Sequence, residues 1–443
     1  MKSTLPFLSI CLAALLLSLS GCVQDRCAQQ ITYISYQAVY LTFEELRAAG
    51  KTEAARELNR PGKFYYKDGF IFVNEVSKGI HVIDNRDVNN PTNIAFINLP
   101  GSHDLAAKGN ILYSDSYTDL VAIDITDPSN TRIVGREVNV FPYGMWHDGL
   151  YADVERGVAI DWIEAEVTEE VPCESITKGL NNWLPRNGFV QEDAASLGPQ
   201  FSSNTQFNSA PTSAGGSGGE ASTGVGGSMA RFTILEDYLY TVTGQALKVF
   251  DISTLTAPAE RRDVEIGWGI ETIFPYGDHL LIGSQTGMFI FSTDNPESPK
   301  LEGEFGHVQS CDPVVAENDI AYVTLRGGNF CGSFSNQLDV LDISNVRNPK
   351  LLYTYLMDGP YGLGIRNSIL FICDGESGLK VYDASDISKI DQNQLAHFPD
   401  INAYDVIPLH NVLLLIGKDG FYQYDYSDVS NIKLLSTIPV IAL

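Results

Sequence analysis

Short apolar strings that end in an aspartate, or in a serine in one copy, recur along the chain. They alternate with polar turns, many of which contain proline, a residue that has no N–H to donate to a sheet. The eight strings end at residues 84, 124, 161, 251, 292, 342, 383 and 425. Consecutive ends lie 37 to 50 residues apart, except for one gap of 90 residues between the third and the fourth. The pattern therefore predicts eight repeats, one of which carries an insertion.

Each repeat reads as four short strands. In the second copy, an inner strand at 104–108 leads through a Gly-Asn turn into a strand at 111–114, and the apolar string at 120–124 follows. Several short strands in each unit, at a period of about 40 to 45 residues, are typical of a β-propeller. We therefore predict an all-β fold, a β-propeller over residues 63–443. Eight blades fit the count, and seven are the alternative because the third repeat is incomplete without its insertion.

The aspartate that ends each string has a structural interpretation. A carboxylate in this position accepts N–H groups from the backbone of the turn that follows. We therefore predict that these aspartates cap turns and do not bind metal.

Two strings carry a resemblance to a known family. Leu-Val-Ala-Ile-Asp-Ile at 120–125 and Leu-Asp-Val-Leu-Asp-Ile-Ser at 338–344 resemble the repeats of the LVIVD-repeat propeller lipoproteins of bacteria. The resemblance extends over residues 31–440 and is repeated in eight copies. It implies a propeller fold and a location in the cell envelope, and it implies no activity.

The first residues predict export and lipidation. Lys2 and an apolar run over 5–19 precede Leu19-Ser20-Gly21-Cys22. This arrangement is typical of a secretory signal rather than a membrane span, and its end resembles the bacterial lipobox. We therefore predict a signal peptide over 1–21 and a lipid on Cys22, which would bind the protein to a membrane. Because Val23 replaces the aspartate that retains such proteins at the inner membrane, we expect the outer membrane of a Gram-negative bacterium.

Two further segments lie outside the repeats. Residues 22–62 form the lipid tether and a strand–helix segment, in which Thr42-Phe43-Glu44-Glu45 is a capping box that opens a helix to about Leu58. Residues 165–228 form the insertion, whose end at 209–228 is rich in glycine and serine and is expected to be flexible.

Charge and cysteine content narrow the class of partner. The net charge of −26 would repel nucleic acid, which we exclude as a partner. The seven cysteines show no Cys-x-x-Cys spacing, so structural zinc is not expected. Cys311 and Cys331 belong to the same repeat, and a disulfide between them is one possibility in an oxidising compartment.

The repeat register places acidic residues at the mouth of the channel. The inner strand of a blade begins about 20 residues after the preceding anchor, and acids at this level could bind calcium or another divalent cation through oxygen ligands. Neighbouring rings and one arginine could instead bind a small polar ligand. The alternative is that the acids cap strand ends or line a water-filled channel. These candidates are Asp104, Glu271, Asp312, Asp405, His103, Tyr143, Arg231, Tyr361 and Tyr404.

Two classes of function remain. The first is a lipid-anchored interaction module of the cell envelope that binds a protein or a glycan. The second is a metal-dependent enzyme or small-ligand binding protein that uses the acids of the channel mouth. The metalloprotease motif His-Glu-x-x-His is absent and the seven histidines are scattered. We therefore favour the interaction module and assign no catalytic residue.

Overall fold

Seven of the eight apolar strings form the third strand of a blade. The structure is a computed structural model, and it describes residues 28–141, 151–172, 222–307, 313–327 and 336–441. These residues include seven antiparallel blades of four strands, which confirms the all-β propeller; five blades are separate sheets, and the first two belong to one ten-stranded sheet with two further strands. Blade 1 consists of β3 (Pro61–Lys67), β4 (Phe70–Glu75), β5 (Gly79–Asp84) and β6 (Thr92–Asn98). Blade 2 consists of β7 (Leu105–Lys108), β8 (Ile111–Ser116), β9 (Asp119–Asp124) and β10 (Arg132–Glu137). Blade 3 consists of β14 (Phe232–Leu235), β15 (Tyr238–Val242), β16 (Ala246–Asp251) and β17 (Ala259–Glu265).

Blades 4 to 7 repeat the same order along the rest of the chain. They consist of β18 (Ile270–Tyr276), β19 (His279–Ser284), β20 (Gly287–Ser292) and β21 (Lys300–Gly306); β22 (Val314–Glu317), β23 (Ile320–Leu325), β24 (Gln337–Asp342) and β25 (Lys350–Leu356); β26 (Leu363–Arg366), β27 (Ile369–Cys373), β28 (Leu379–Asp383) and β29 (Gln394–Phe398); and β30 (Ala403–Pro408), β31 (Val412–Gly417), β32 (Gly420–Asp425) and β33 (Lys433–Pro439). Among the described residues of these blades, the one helical segment is a 3-10 turn at Ile390–Gln392.

The ring closes between the last blade and the first. Phe64 and Phe421 pack edge to face with their ring centroids 5.7 Å apart. The Asn85 amide also donates to the Gln423 side chain at 2.9 Å. Apolar side chains of both blades share one buried cluster, and burial of such surface is the main stabilising contribution between blades.

The third apolar string does not form a blade of its own. It lies in β12 (Gly157–Pro172), which pairs with β1 (Ala28–Leu41) and the short β11 (Ala152–Asp153). Blades 2 and 3 are direct neighbours, because the Tyr113 hydroxyl donates to the Leu255 carbonyl at 2.8 Å. The described residues therefore form seven blades, the alternative that the incomplete third repeat left open. The string specifies a strand but not the sheet that the strand joins.

The chain divides into two compact units. Among the described residues, one contains 28–40 and 159–172, which form most of the β1–β12 ribbon, and the other contains the propeller. The ribbon is held by a hydrogen bond at 2.8 Å from the Tyr36 hydroxyl to Glu164 and by one at 3.0 Å between Thr32 and Thr168.

The predicted capping box is confirmed, but the helix is shorter than expected. Thr42 and Glu45 cap α1 (Phe43–Ala48) reciprocally. The chain then turns at Gly50, whose φ of +102° suits glycine. Residues after the turn form β2 (Lys51–Ala54), which lies between β6 and β10. Helix prediction to Leu58 was wrong because sheet pairing overrides the local preference of this segment.

The predicted turn-capping role is confirmed for six of the seven anchor aspartates, whereas the seventh, Asp161, lies within β12. In six blades the carboxylate accepts the backbone N–H of the residue two positions later, at 2.8 to 3.1 Å. In blade 4, where the anchor is Ser292, its hydroxyl accepts from Asp294 in the same way. These carboxylates are Asp84, Asp124, Asp251, Asp342, Asp383 and Asp425.

Candidate functional site

The candidate site lies where the innermost strands begin. We call this end of the ring the upper face and the opposite end the lower face. Asp104 directly precedes β7, Glu271 and Asp405 lie near the starts of β18 and β30, and Tyr361 precedes β26. Asp312 and Tyr143, like Cys22, Cys311 and Cys331, lie outside the described residues, so the lipidation and the disulfide remain predictions.

The channel of the propeller contains a segment of its own chain, residues 222–231, which we call the plug. Its first part binds the lower ends of blades 1 and 2. The Gly109 N–H donates to the Ser222 carbonyl at 2.9 Å, and the Gly224 N–H donates to the Ala107 carbonyl at 3.0 Å. The plug then forms β13 (Val225–Gly226), which pairs antiparallel with the inner strand β3. It therefore runs through the channel from the lower face to the upper face.

At the upper face the plug binds the predicted site residue Asp405. The backbone N–H and the hydroxyl of Ser228 donate to one carboxylate oxygen of Asp405, at 3.2 and 3.1 Å. The same hydroxyl accepts from the Leu363 N–H at 2.8 Å. A Cβ at Gly227 or at Gly362 would lie 2.0 or 2.1 Å from an oxygen of this carboxylate. Only glycine permits this close packing around Asp405.

A second acid, Asp104, fixes the end of the plug. It accepts the Arg231 N–H at 2.6 Å and the Leu105 N–H at 2.7 Å. It also forms an ion pair at 2.6 Å with Lys63, and both side chains are buried. Burial lowers the pKa of Lys63 to about 8 and raises the pKa of Asp104. The mutual attraction of the pair opposes both shifts.

The third described acid has a different partner. Glu271 accepts from the Gln285 side chain at 2.9 Å. Asp104, Glu271 and Asp405 thus each bind a separate donor. Nowhere in the described part of the chain do three His, Cys, Asp or Glu side chains come together in a way that could hold a metal ion. The geometry of the described acids gives the predicted cation site no support.

His103, predicted to face a ligand, is bonded inside the fold. Its Nδ1 lies 3.1 Å from Asp115 and its Nε2 lies 2.9 Å from the Ser77 hydroxyl. The Asp115 carboxylate also accepts the N–H groups of His103 and Asp104. This arrangement holds the loop before β7 in place.

The space beside the plug is small. A cavity of about 30 Å³ lies between the plug and the inner strands of blades 4 to 7. Pockets that bind small organic ligands usually measure about 300 to 1,000 Å³. The cavity is therefore too small for a sugar or a cofactor. Its lining includes Gly226, Gly227, Ser228, Phe274, Val315, Leu363 and Val406.

Aromatic and arginine side chains remain partly exposed on the upper face. The Arg326 guanidinium carbon lies 4.0 Å from the Tyr361 ring centroid. The Tyr361 and Tyr404 ring centroids are 5.2 Å apart. Burial lowers the pKa of Arg326, and the nearby Tyr361 and Glu271 oppose this shift. Trp268, which is 51% exposed, lies in the loop before β18. We call Trp268, Arg326, Tyr361 and Tyr404 the upper rim.

Sequence reasoning missed the plug and Trp268. The expectation that 209–228 is flexible is wrong for its described part, residues 222–228, because Gly226, Gly227 and Ser228 are buried. A run of glycine and serine is typical of a linker, but it also suits close packing of backbone against strands. The signal for Trp268 was its position between Gly267 and Gly269 directly before an inner strand.

Comparison with known proteins agrees with the repeat pattern. The sequence profile of the LVIVD repeat matches residues 101–137, 226–265 and 322–357. The chain contains LVIVD repeats. The first match covers blade 2, and the second covers the end of the plug and blade 3. The third match covers most of blade 5. No curated protein matches the chain.

Several solved structures are similar at low identity. The computationally designed Ika8 protein shares 10% identity over 89% of this chain and 93% of its own, with a TM-score of 0.48. Sqt1 of Saccharomyces cerevisiae shares 7% identity over 89% and 90%, with a TM-score of 0.47. BamB from Moraxella catarrhalis shares 9% identity over 88% and 97%, with a TM-score of 0.47. Within its described residues, the chain has no helix that is long and apolar enough to cross a membrane.

Proposed function

We propose that this protein is a lipid-anchored propeller of the cell envelope whose upper rim binds another protein. The observation that carries the proposal is the plug. Residues 222–231 of the chain lie in the channel, and the cavity beside them that described residues line is about 30 Å³, so a small-molecule ligand has little room there. The binding surface is then the outer surface of the propeller.

The composition of the upper rim supports a protein partner. Tryptophan, tyrosine and arginine are the residues that contribute most binding energy in protein interfaces. Arg326 already lies against Tyr361, so little side-chain entropy would be lost when a partner binds there. Asp405 and Asp104 hold the plug beneath the rim and give it a rigid support.

A site-specific cross-linking experiment tests the upper rim. A photoreactive phenylalanine analogue replaces Trp268, and a matched control replaces Asp278, which is exposed on the turn between β18 and β19 at the lower face. We expect a discrete protein adduct in intact cells from position 268, and none from position 278. Adducts of equal yield at both positions, or a glycan adduct at 268, would contradict the proposal.

The lipid anchor is tested separately. We expect radiolabelled palmitate to be incorporated into the wild-type protein and lost in Cys22→Ser. The Cys27→Ser variant, which changes a cysteine outside the lipobox, should keep the label. Incorporation in Cys22→Ser would refute the anchor, and fractionation with inner-membrane proteins would refute the outer membrane.

A further inference from the structure

The outer strand of blade 5, β25, exposes an unusual number of apolar side chains. Leu351, Leu352, Tyr353 and Leu356 are 46%, 40%, 39% and 85% exposed. No other strand among the described residues exposes as many large apolar side chains. Contiguous exposed apolar surface of this kind usually marks an interaction site.

The edge of β25 is also free to pair. In the described part of the chain, β25 is the last strand of its sheet and pairs only with β24. Its outward backbone N–H and C=O groups can therefore accept a further strand. Proteins usually protect such an edge with charged residues or proline.

Two other outer strands of the same ring carry that protection. β17 contains Glu260, Arg261, Arg262 and Asp263, and β33 ends in a proline. β25 has the sequence Lys-Leu-Leu-Tyr-Thr-Tyr-Leu, in which only the first residue is charged. The outer strand β29 (Gln394–Phe398) also lacks acidic residues, Lys, Arg and proline, so β25 is distinguished by its low charge together with its four exposed apolar side chains.

The first blade shows that an outer strand of this fold accepts an additional strand. The short β2 pairs antiparallel with the outer strand β6, with Thr52 opposite Ile97 and Glu53 opposite Phe96. β2 covers in blade 1 the edge that no described strand covers in blade 5.

We infer that β25 binds an extended segment of another protein as a fifth strand of blade 5. The segment is apolar at alternate positions, so that it packs on Leu351 and Tyr353, and it is basic at the others. A basic segment complements the net charge of −26, whereas a second copy of this chain would bring the same charge. This inference rests on the proposed interaction role and adds a surface and a class of partner to it.

A peptide-binding measurement tests the inference on the full chain in detergent. The probe is a fluorescent peptide of seven residues in which valine and lysine alternate, and the readout is fluorescence anisotropy. We expect saturable binding, and a loss of affinity of about tenfold or more in the Leu351→Lys, Leu356→Lys double variant. The matched control is Leu301→Lys with Leu434→Lys, which adds the same charge at similarly exposed positions of β21 and β33 and should bind like the wild type.

A second peptide separates strand pairing from mere charge attraction. The same peptide with all backbone amides N-methylated cannot donate to an edge, and we expect it not to bind. Equal binding of the methylated peptide, or equal loss in both double variants, would overturn the inference. A wild-type dimer that the β25 variant dissociates would assign the edge to a second copy and would also overturn it.

The outcome is independent of the cross-linking at Trp268. If cross-linking at Trp268 persists while the peptide fails to bind, the inference about β25 is wrong and the proposed function stands. If peptide binding persists while the Trp268 adduct is absent, the proposed role of the upper rim is wrong.

Discussion

The mouth of the channel and the upper rim belong to the same end of the propeller, but their polar groups have different partners. In the channel, Asp104 and Asp405 bind Lys63, Ser228 and backbone N–H groups of the plug. On the rim, Trp268 is half exposed, and Arg326 and Tyr361 are only partly buried. Satisfied and buried polar groups stabilise the fold, whereas exposed arginine and aromatic side chains are available for a partner. The difference supports a structural role for the acids and the proposed binding role of the rim.

The largest effect is expected from loss of the buried ion pair. In Asp104→Ala, the buried Lys63 loses its partner, and such a change costs about 3–5 kcal/mol of unfolding free energy. The control is Asp263→Ala, because Asp263 is half exposed and Lys248 also binds Glu260; its cost should be below about 1 kcal/mol. Chemical denaturation measures both, and equal costs would mean that Asp104 is not a structural acid.

A smaller loss is expected when the packing of the plug is disturbed. Gly227→Ala places a methyl group 2.0 Å from a carboxylate oxygen of Asp405, and overpacking of this kind costs about 1–3 kcal/mol. Gly244→Ala is the control, because its Cβ would meet no atom within 4 Å. If both variants unfold at the wild-type denaturant concentration, the plug does not pack against Asp405.

A low pH should destabilise the blades, because the anchor aspartates then become protonated. Hydrogen bonds from the turn and from Arg132 lower the pKa of Asp124 to about 2, and hydrogen bonds from Arg261 and Ser253 lower that of Asp251 to about 2. A lowered pKa gives stability that is complete above the unfolded value of 3.8 and is lost as pH falls towards 2. We expect the melting temperature of the wild type to fall more between pH 4 and pH 2 than that of Asp124→Asn with Asp251→Asn. Parallel curves would contradict this contribution.

The smallest effect on stability is expected on the rim. Trp268→Ala removes a half-exposed side chain from a glycine-flanked loop, and its unfolding free energy should stay within about 0.5 kcal/mol of the wild type. Co-purification of the cross-linked partner should nevertheless be lost. A destabilised variant that keeps its partner would reverse the assignment of roles.

The repeat could be predicted from the sequence, but the path of the chain between repeats could not. The anchor aspartates and the capping box of Thr42 act locally, through residues two or three positions away, and local patterns of this kind can be read directly. Asp104 and Asp405 were placed near the upper face by the repeat period alone. Their partners Arg231 and Ser228 come from a segment more than a hundred residues away from each of them, so their role as plug contacts required the fold. The structural role of the glycines in the plug could not be predicted for the same reason, because it depends on which strands surround them.

Amide hydrogen exchange of residues 222–231 tests the central claim most directly. The N–H groups of Gly224, Ser228 and Arg231 donate to acceptors on the inner strands or on acids beside them. We therefore expect these amides to exchange as slowly as those of β3 and β7, and to lose this protection in Gly227→Ala. Exchange at the rate of an unprotected peptide would mean that the plug does not fill the channel. The acids of the channel mouth would then be available to a ligand.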